Sequence, residues 1–157
     1  MSESLIIKPH HFLDIIRDFG AGIKHEPHPY GHAVHEAAQR LHENPECLLE
    51  LTSGVDSICQ PCRNLVGGHC TDTTSTPGRL VSKESWNLLI DSRLFERLGL
   101  KEGDRLTARQ FCRIALARMG DIYSIYPEVA REKTAWREQN LLSGLKEYLG
   151  SGENGHK

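Results

Sequence analysis

The 157-residue sequence is short of most features that would mark an activity at sight. Neither sign of charge is in excess: 19 Lys and Arg stand against 21 Asp and Glu, a formal net charge of −2. That argues against the basic footprint of a nucleic-acid binder and against a polybasic membrane anchor. No uninterrupted apolar run approaches membrane-spanning length, and MSESLIIKPHH lacks the apolar stretch of a secretion signal. A cytoplasmic location without membrane association is therefore expected. A Gly-rich phosphate loop, a G-x-S-x-G elbow and a basic–aromatic strand pattern are all missing, so the commonest nucleotide, serine-hydrolase and single-strand-binding signals are absent. There is no internal repeat. With 38% hydrophobic and 25% charged residues, one ordinary globular domain is expected over residues 1–149, with a disordered tail at 150–157.

What is present is unevenly placed. Eight of the nine histidines precede residue 70, and three of the five cysteines fall within twelve residues of one another. In a reducing compartment the set Cys47, Cys59, Cys62, Cys70 and Cys112 reads as thiols or metal ligands rather than disulfides. Metal-capable side chains therefore concentrate in the first half.

Hydrophobic periodicity predicts a mainly helical α+β domain. LIIK (5–8) suits a short strand or extended lead-in. Pro9 suits the first turn of a helix over 10–19, and Gly20 its stop. At about 100° per residue, Phe12, Ile15, Ile16 and Phe19 share one side, and His10, His11, Asp14, Arg17 and Asp18 the other. A loop at 20–31, a helix over 32–43 packing Ala33, Ala37, Ala38 and Leu41, and a strand within 47–54 follow. The cysteine segment and 71–79 show no periodicity and are expected as loop. Further helices are marked by Trp86, Leu89, Ile90, Leu94 and Leu98, by the Thr107–Gln110 capping box before Phe111, Ile114, Ala115 and Met119, and by Trp136, Leu141, Leu142, Leu145 and Leu149 over 128–149. The final helix carries Arg131, Glu132, Lys133, Arg137 and Glu138 as a solvated face. Cys112 is expected as buried apolar filler.

Cys59-Gln-Pro-Cys62 is a C-x-x-C turn, and Cys70 follows a Gly-Gly pair that lets the backbone bend back toward the same centre. A thioredoxin-like redox pair would follow a strand and open a helix, whereas here a Gly-rich loop follows. Three sulfurs leave a fourth position, for which Cys47, Asp14, His10 and His11 are the candidates. His10 and Asp14 are spaced i, i+4, and His11 and Asp14 i, i+3, so either pair converges on one point. A solvated helix face is the bland alternative. Positive charge at a helix N-terminus opposes the helix dipole, however, which favours neutral rings available as ligands or bases at this adjacent pair. His28, His32, His35 and His42 form a second group, for which an exposed histidine stripe is the commoner meaning than a second metal site. His69, next to Cys70, is a further nitrogen donor in principle.

The stretches PHHFLDI, SGVDSICQPCRNLVGGHC and LFERLGLKEGDRLT, in that order across residues 6–118, together resemble a small bacterial and archaeal family of iron–sulfur-binding proteins without a characterised activity. The resemblance implies metal or cluster binding and nothing further about activity. Cys59, Cys62 and Cys70 match its later cysteines, and His10 and His11 its paired histidines. Where that pattern has a cysteine three residues after the second histidine, this chain has Asp14. Either Cys47 or Asp14 completes the site, or one position stays exchangeable.

The expected function is thus an iron–sulfur protein, most simply four-iron (4Fe-4S). Cys59, Cys62 and Cys70 bind the cluster, Asp14 or Cys47 stands at the fourth position, and His10 and His11 serve as acid–base groups. It would act on a small polar substrate through an open iron or exchange electrons with a redox partner protein. The rivals are a structural zinc module with Cys3His or Cys3Asp coordination, and a mononuclear metal enzyme using His10, Asp14 and a histidine from 28–42.

Overall fold

The computed structural model describes residues 4–154, side chains through Gly150. It is a mainly helical α+β fold. Three short strands make the largest sheet among the described residues: β1 (Leu5–Ile7), β2 (Leu48–Leu51) and β7 (Arg105–Thr107), in the order β1-β2-β7. β1 runs parallel to β2 with Leu5 opposite Leu49 and Ile7 opposite Leu51, while β7 runs antiparallel with Leu106 opposite Leu49. The alternation is direct: Leu5, Ile7, Leu49, Leu51 and Leu106 are buried and Ile6 and Leu48 are exposed.

Between β1 and β2 lie α1 (Pro9–Gly20) and α2 (Val34–Glu43). Pro9 opens α1 as expected, and Phe12, Leu13, Ile15 and Ile16 go into the core. Each such side chain contributes about 1.5–3 kcal/mol by leaving water. The ionisable side of α1 is not solvated: His10 and Asp18 are buried as well. After β2 the cysteine segment forms two miniature hairpins instead of plain loop. They pair β3 (Leu65–Val66) with β4 (His69–Cys70), and β5 (Thr73–Thr74) with β6 (Val81–Ser82).

α3 (Lys83–Leu98) starts under a Ser82 cap that accepts from the Ser85 N–H, and ends at Gly99. The φ of 69° at Gly99 is the left-handed conformation that a glycine adopts without a Cβ clash. α3 buries Ile90, Asp91, Leu94 and Leu98, whereas Leu89, expected on the packed face, points to solvent. α4 (Ala108–Arg118) opens on the expected capping box of Thr107 and Gln110 and buries Phe111, Cys112 and Ala115. Cys112 is 0% exposed among apolar neighbours, and burial pushes its thiol up to about 12, in keeping with a filler. A 3-10 turn (Ile122–Ser124) leads to α5 (Arg131–Asn154). That helix continues past the stop expected at Leu149. Residues 155–157 of the expected loose tail lie outside the described residues.

α5 packs lengthwise on α1. The contact rests on two glycines: a Cβ on Gly20 would run into the Asn140 carbonyl and the Gly144 backbone, and one on Gly144 into the Ile16 carbonyl. On α5, Leu141, Leu145, Tyr148 and Leu149 are buried, and the Tyr148 hydroxyl donates to the Leu41 carbonyl at 2.6 Å. Trp136 and Leu142, expected among the packed residues, are exposed. No helix among the described residues is long and apolar enough to cross a membrane.

Candidate functional site: a cavity between the first helix and the cysteine loop

α1, α3, α5, the 21–33 loop and the cysteine loop enclose a cavity of about 320 Å³. His10, His11, Asp14, Cys59, Cys62 and Cys70 all line it. The sequence-predicted set therefore meets in one place, though not in one state.

Both histidines are held at Nδ1 by a buried carboxylate. His10 Nδ1 lies 2.9 Å from Asp91 Oδ2, and the His10 backbone N–H donates to Asp91 Oδ1 at 2.8 Å. Asp91, 0% exposed on α3, thereby caps the start of α1 and orients its first imidazole. His11 Nδ1 lies 2.7 Å from Asp56 Oδ2. The two rings stand side by side, centroids 4.3 Å apart. With Nδ1 engaged, Nε2 of each ring is the nitrogen left for cavity chemistry.

Asp56 is the hub of the cysteine loop. Its Oδ2 also accepts from the Lys8 N–H at 2.9 Å, and its Oδ1 from the N–H groups of Ile58 and Cys59 at 3.1 and 3.0 Å. Burial works to raise its pKa, but His11 and the backbone donors outweigh it and hold the carboxyl well below the usual carboxylate range. His11 shifts down, first through burial and then through its neighbour His10, so near neutral pH the pair is a neutral imidazole on an ionised carboxylate. Burial, and then the adjacent Asp56 charge, push the Cys59 thiol up to about 12. Such a thiol is a poor nucleophile at pH 7, which counts against a free redox pair.

The cysteine loop is clasped at its far end by Glu84 in the first turn of α3. Glu84 accepts from the Cys70 N–H at 3.2 Å and reaches His69 Nδ1 at the same distance. That leaves the exposed His69 outside the cavity, on Glu84. Among the described residues the one group of three with donor atoms all within 4.8 Å of one another is His11, Asp56 and Cys59. Asp56, however, already accepts four hydrogen bonds and fills its lone-pair sites. The three thiols are not gathered that tightly, whereas sulfurs on one tetrahedral zinc at about 2.3 Å would sit within about 4 Å of each other.

Two fourth-donor candidates are engaged elsewhere. Cys47 is buried away from the cavity, with Arg40 Nη2 at 3.7 Å from its sulfur. Asp14 lines the cavity, but its Oδ1 is taken by Arg17 at 3.0 Å and by Arg137. Burial would raise Asp14; Arg137 and then Arg17 overcome it and keep the carboxyl lowered. Arg137 was expected on a solvated face, yet its side chain is 19% exposed and lies over the Tyr126 ring at 4.5 Å. The second histidine group does not assemble: His28 stacks on His32 at 4.2 Å, His35 pairs with Glu36, and His42 packs on Phe19.

Sequence reasoning gave no role to Asp56, Asp91 or Lys8. Asp91 had a readable signal, a carboxylate embedded in the Ile90–Leu94–Leu98 stripe of an otherwise amphipathic helix. Asp56 stood three residues before Cys59.

The model of a family described as a protein of unknown function, DUF1284, matches residues 28–125. The matched segment holds the whole cysteine loop, Asp56 and Asp91, and starts after α1 with its two histidines. No curated protein and no solved structure matches the chain.

Proposed function

The chain belongs to the DUF1284 family, whose description assigns no function, and from the geometry of its cavity we propose that it is an iron–sulfur protein. Cys59, Cys62 and Cys70 hold the cluster, one position stays open to a small polar substrate, and His10 and His11 move protons beside it. The observation that carries this reading is the convergence of three thiols from one loop and two carboxylate-held histidines on a single cavity.

The donor chemistry fits the group. Thiolates are the usual cluster ligands, and three thiols spaced wider than a single-ion site suit a centre whose sulfurs bind different irons. Asp14 and Cys47 each have another partner, so neither competes strongly for the remaining position. When bound, an iron with a free position supplies Lewis-acid chemistry. The chain does the rest. His11, neutral and backed by the Asp56 charge, accepts a proton at Nε2, and the carboxylate stabilises the imidazolium that results. His10 has the same backing from Asp91, so it too can take up a proton at Nε2, from the water of the cavity, and deliver it on the adjacent side. Trp86 and Ile90 on the cavity wall limit the water around the reacting atoms.

Isolation without oxygen, with iron and sulfide analysis, tests the reading. The expected protein is brown, with broad absorbance near roughly 400 nm that bleaches on reduction and about four irons per chain. A colourless preparation with one zinc per chain would overturn it.

A further inference from the structure

One charge on the cavity wall has no answer within the protein. Lys8, at the N-cap position of α1, is 7% exposed and lines the cavity with His11 and Cys59. Its backbone N–H goes to Asp56, but its ammonium makes no hydrogen bond or ion pair among the described residues. The other cations of the wall are matched: Lys83 by Asp72 at 3.6 Å, Arg17 by Asp14 and Asp18, and Arg137 by Asp14. The carboxylates nearest α1, Asp56 and Asp91, are spent on histidines and backbone N–H groups. With its aliphatic stem buried and its ammonium on the cavity wall, Lys8 offers an unmatched positive charge to an anion that enters.

We propose that Lys8 is the recognition group for a small carboxylic acid, which enters with its carboxylate on the ammonium and its reacting end toward His10 and His11. This names the substrate class of the site just described and rests on that reading for its chemistry, though not for the binding itself. A carboxylate is favoured over a phosphate ester because a single uncompensated cation matches a single negative charge, whereas a phosphate carries about −1.5 to −2. The three thiolates are the competing partner for Lys8, whose charge also bears on Cys59. The experiment is built to separate the two.

Full-length protein isolated without oxygen, its iron content measured in parallel, is titrated by calorimetry with lactate and mandelate, each against its neutral amide, and with inorganic phosphate. The acids should bind, their amides should not, and phosphate should bind at least about tenfold more weakly. Lys8→Met should weaken the acids about 30-fold with iron per chain unchanged, and Lys8→Arg should keep most of the affinity. Wild-type protein that binds neither acid, or binds acid and amide alike, overturns the proposal without recourse to any variant. Loss of iron in Lys8→Met with acid affinity retained also overturns it, because the ammonium then serves the sulfur loop. Iron-free protein that still binds the acids through Lys8 would end the cluster reading and leave this one standing.

Discussion

The helical scaffold and the cysteine loop are held by different forces. In the scaffold, α1, α3, α4 and α5 bury side chains such as Phe12, Leu94, Phe111 and Leu145 in one core. In the loop, no residue between Ile58 and Ile90 is buried. Its two hairpins have two residues per strand, too short to be stable alone. What shapes the loop is a carboxylate at each end, Asp56 before Cys59 and Glu84 beside Cys70. The scaffold is self-sufficient. The loop is shaped by hydrogen bonds rather than by a core of its own.

The comparison can be broken most forcefully on the scaffold side. Gly144→Val should cost about 4 kcal/mol or more, because the new side chain drives into the Ile16 carbonyl, and thermal unfolding should show it. Gly150, with nothing near its would-be Cβ, is the control, and Gly150→Ala should leave the midpoint nearly unchanged. Equal effects at the two positions would remove the close helix contact.

Asp56→Asn comes next. The amide presents donors to groups that are themselves donors, so about 2–3 kcal/mol should be lost in urea titrations. Bound metal should weaken about 10–100-fold, as when the group behind a ligand set is removed. Glu84→Ala should move global stability by less than about 1 kcal/mol. Its effect should be local: amides of residues 64–72 should exchange faster, while those of α1 and α5 do not. Uniform acceleration would contradict a loop held separately.

The smallest effect is one of pH. A group whose pKa falls on folding binds protons more readily unfolded, so its stabilisation is present above its ordinary value and lost as pH drops. For His11 that loss begins below 6.5, and for Asp14 and Asp56 below 3.8. Stability should therefore decline gently from pH 6.5 downward and steeply below 3.8. His11→Gln should flatten part of the first decline, to which His32 and His42 also contribute, and soften the second, because His11 helps hold Asp56 down.

The elements were legible because local rules governed them: Pro9 opened α1, Thr107 and Gln110 capped α4, and Gly99 closed α3. The cavity's membership was legible too, since Cys59, Cys62, Cys70 and the histidine pair all line it. The partners were not. Asp91 lies 81 positions from His10, and Arg137 lies 123 from Asp14, separations over which periodicity carries no information. Arg137 read as surface because its helix neighbours are charged, and only the crossing of α5 over α1 turns it inward. Gly20 read as a helix stop, while its larger part is to admit Asn140 and Gly144.

That glycine contact has a consequence for the chemistry. Backbone touching backbone has no rotamers to adjust, so the axle on which His10 and His11 are mounted has no shim. Drift in surface composition can restyle the outer faces of α5 without moving the imidazoles. A single added methyl at the crossing would retune their aim on the cavity from the opposite end of the helix.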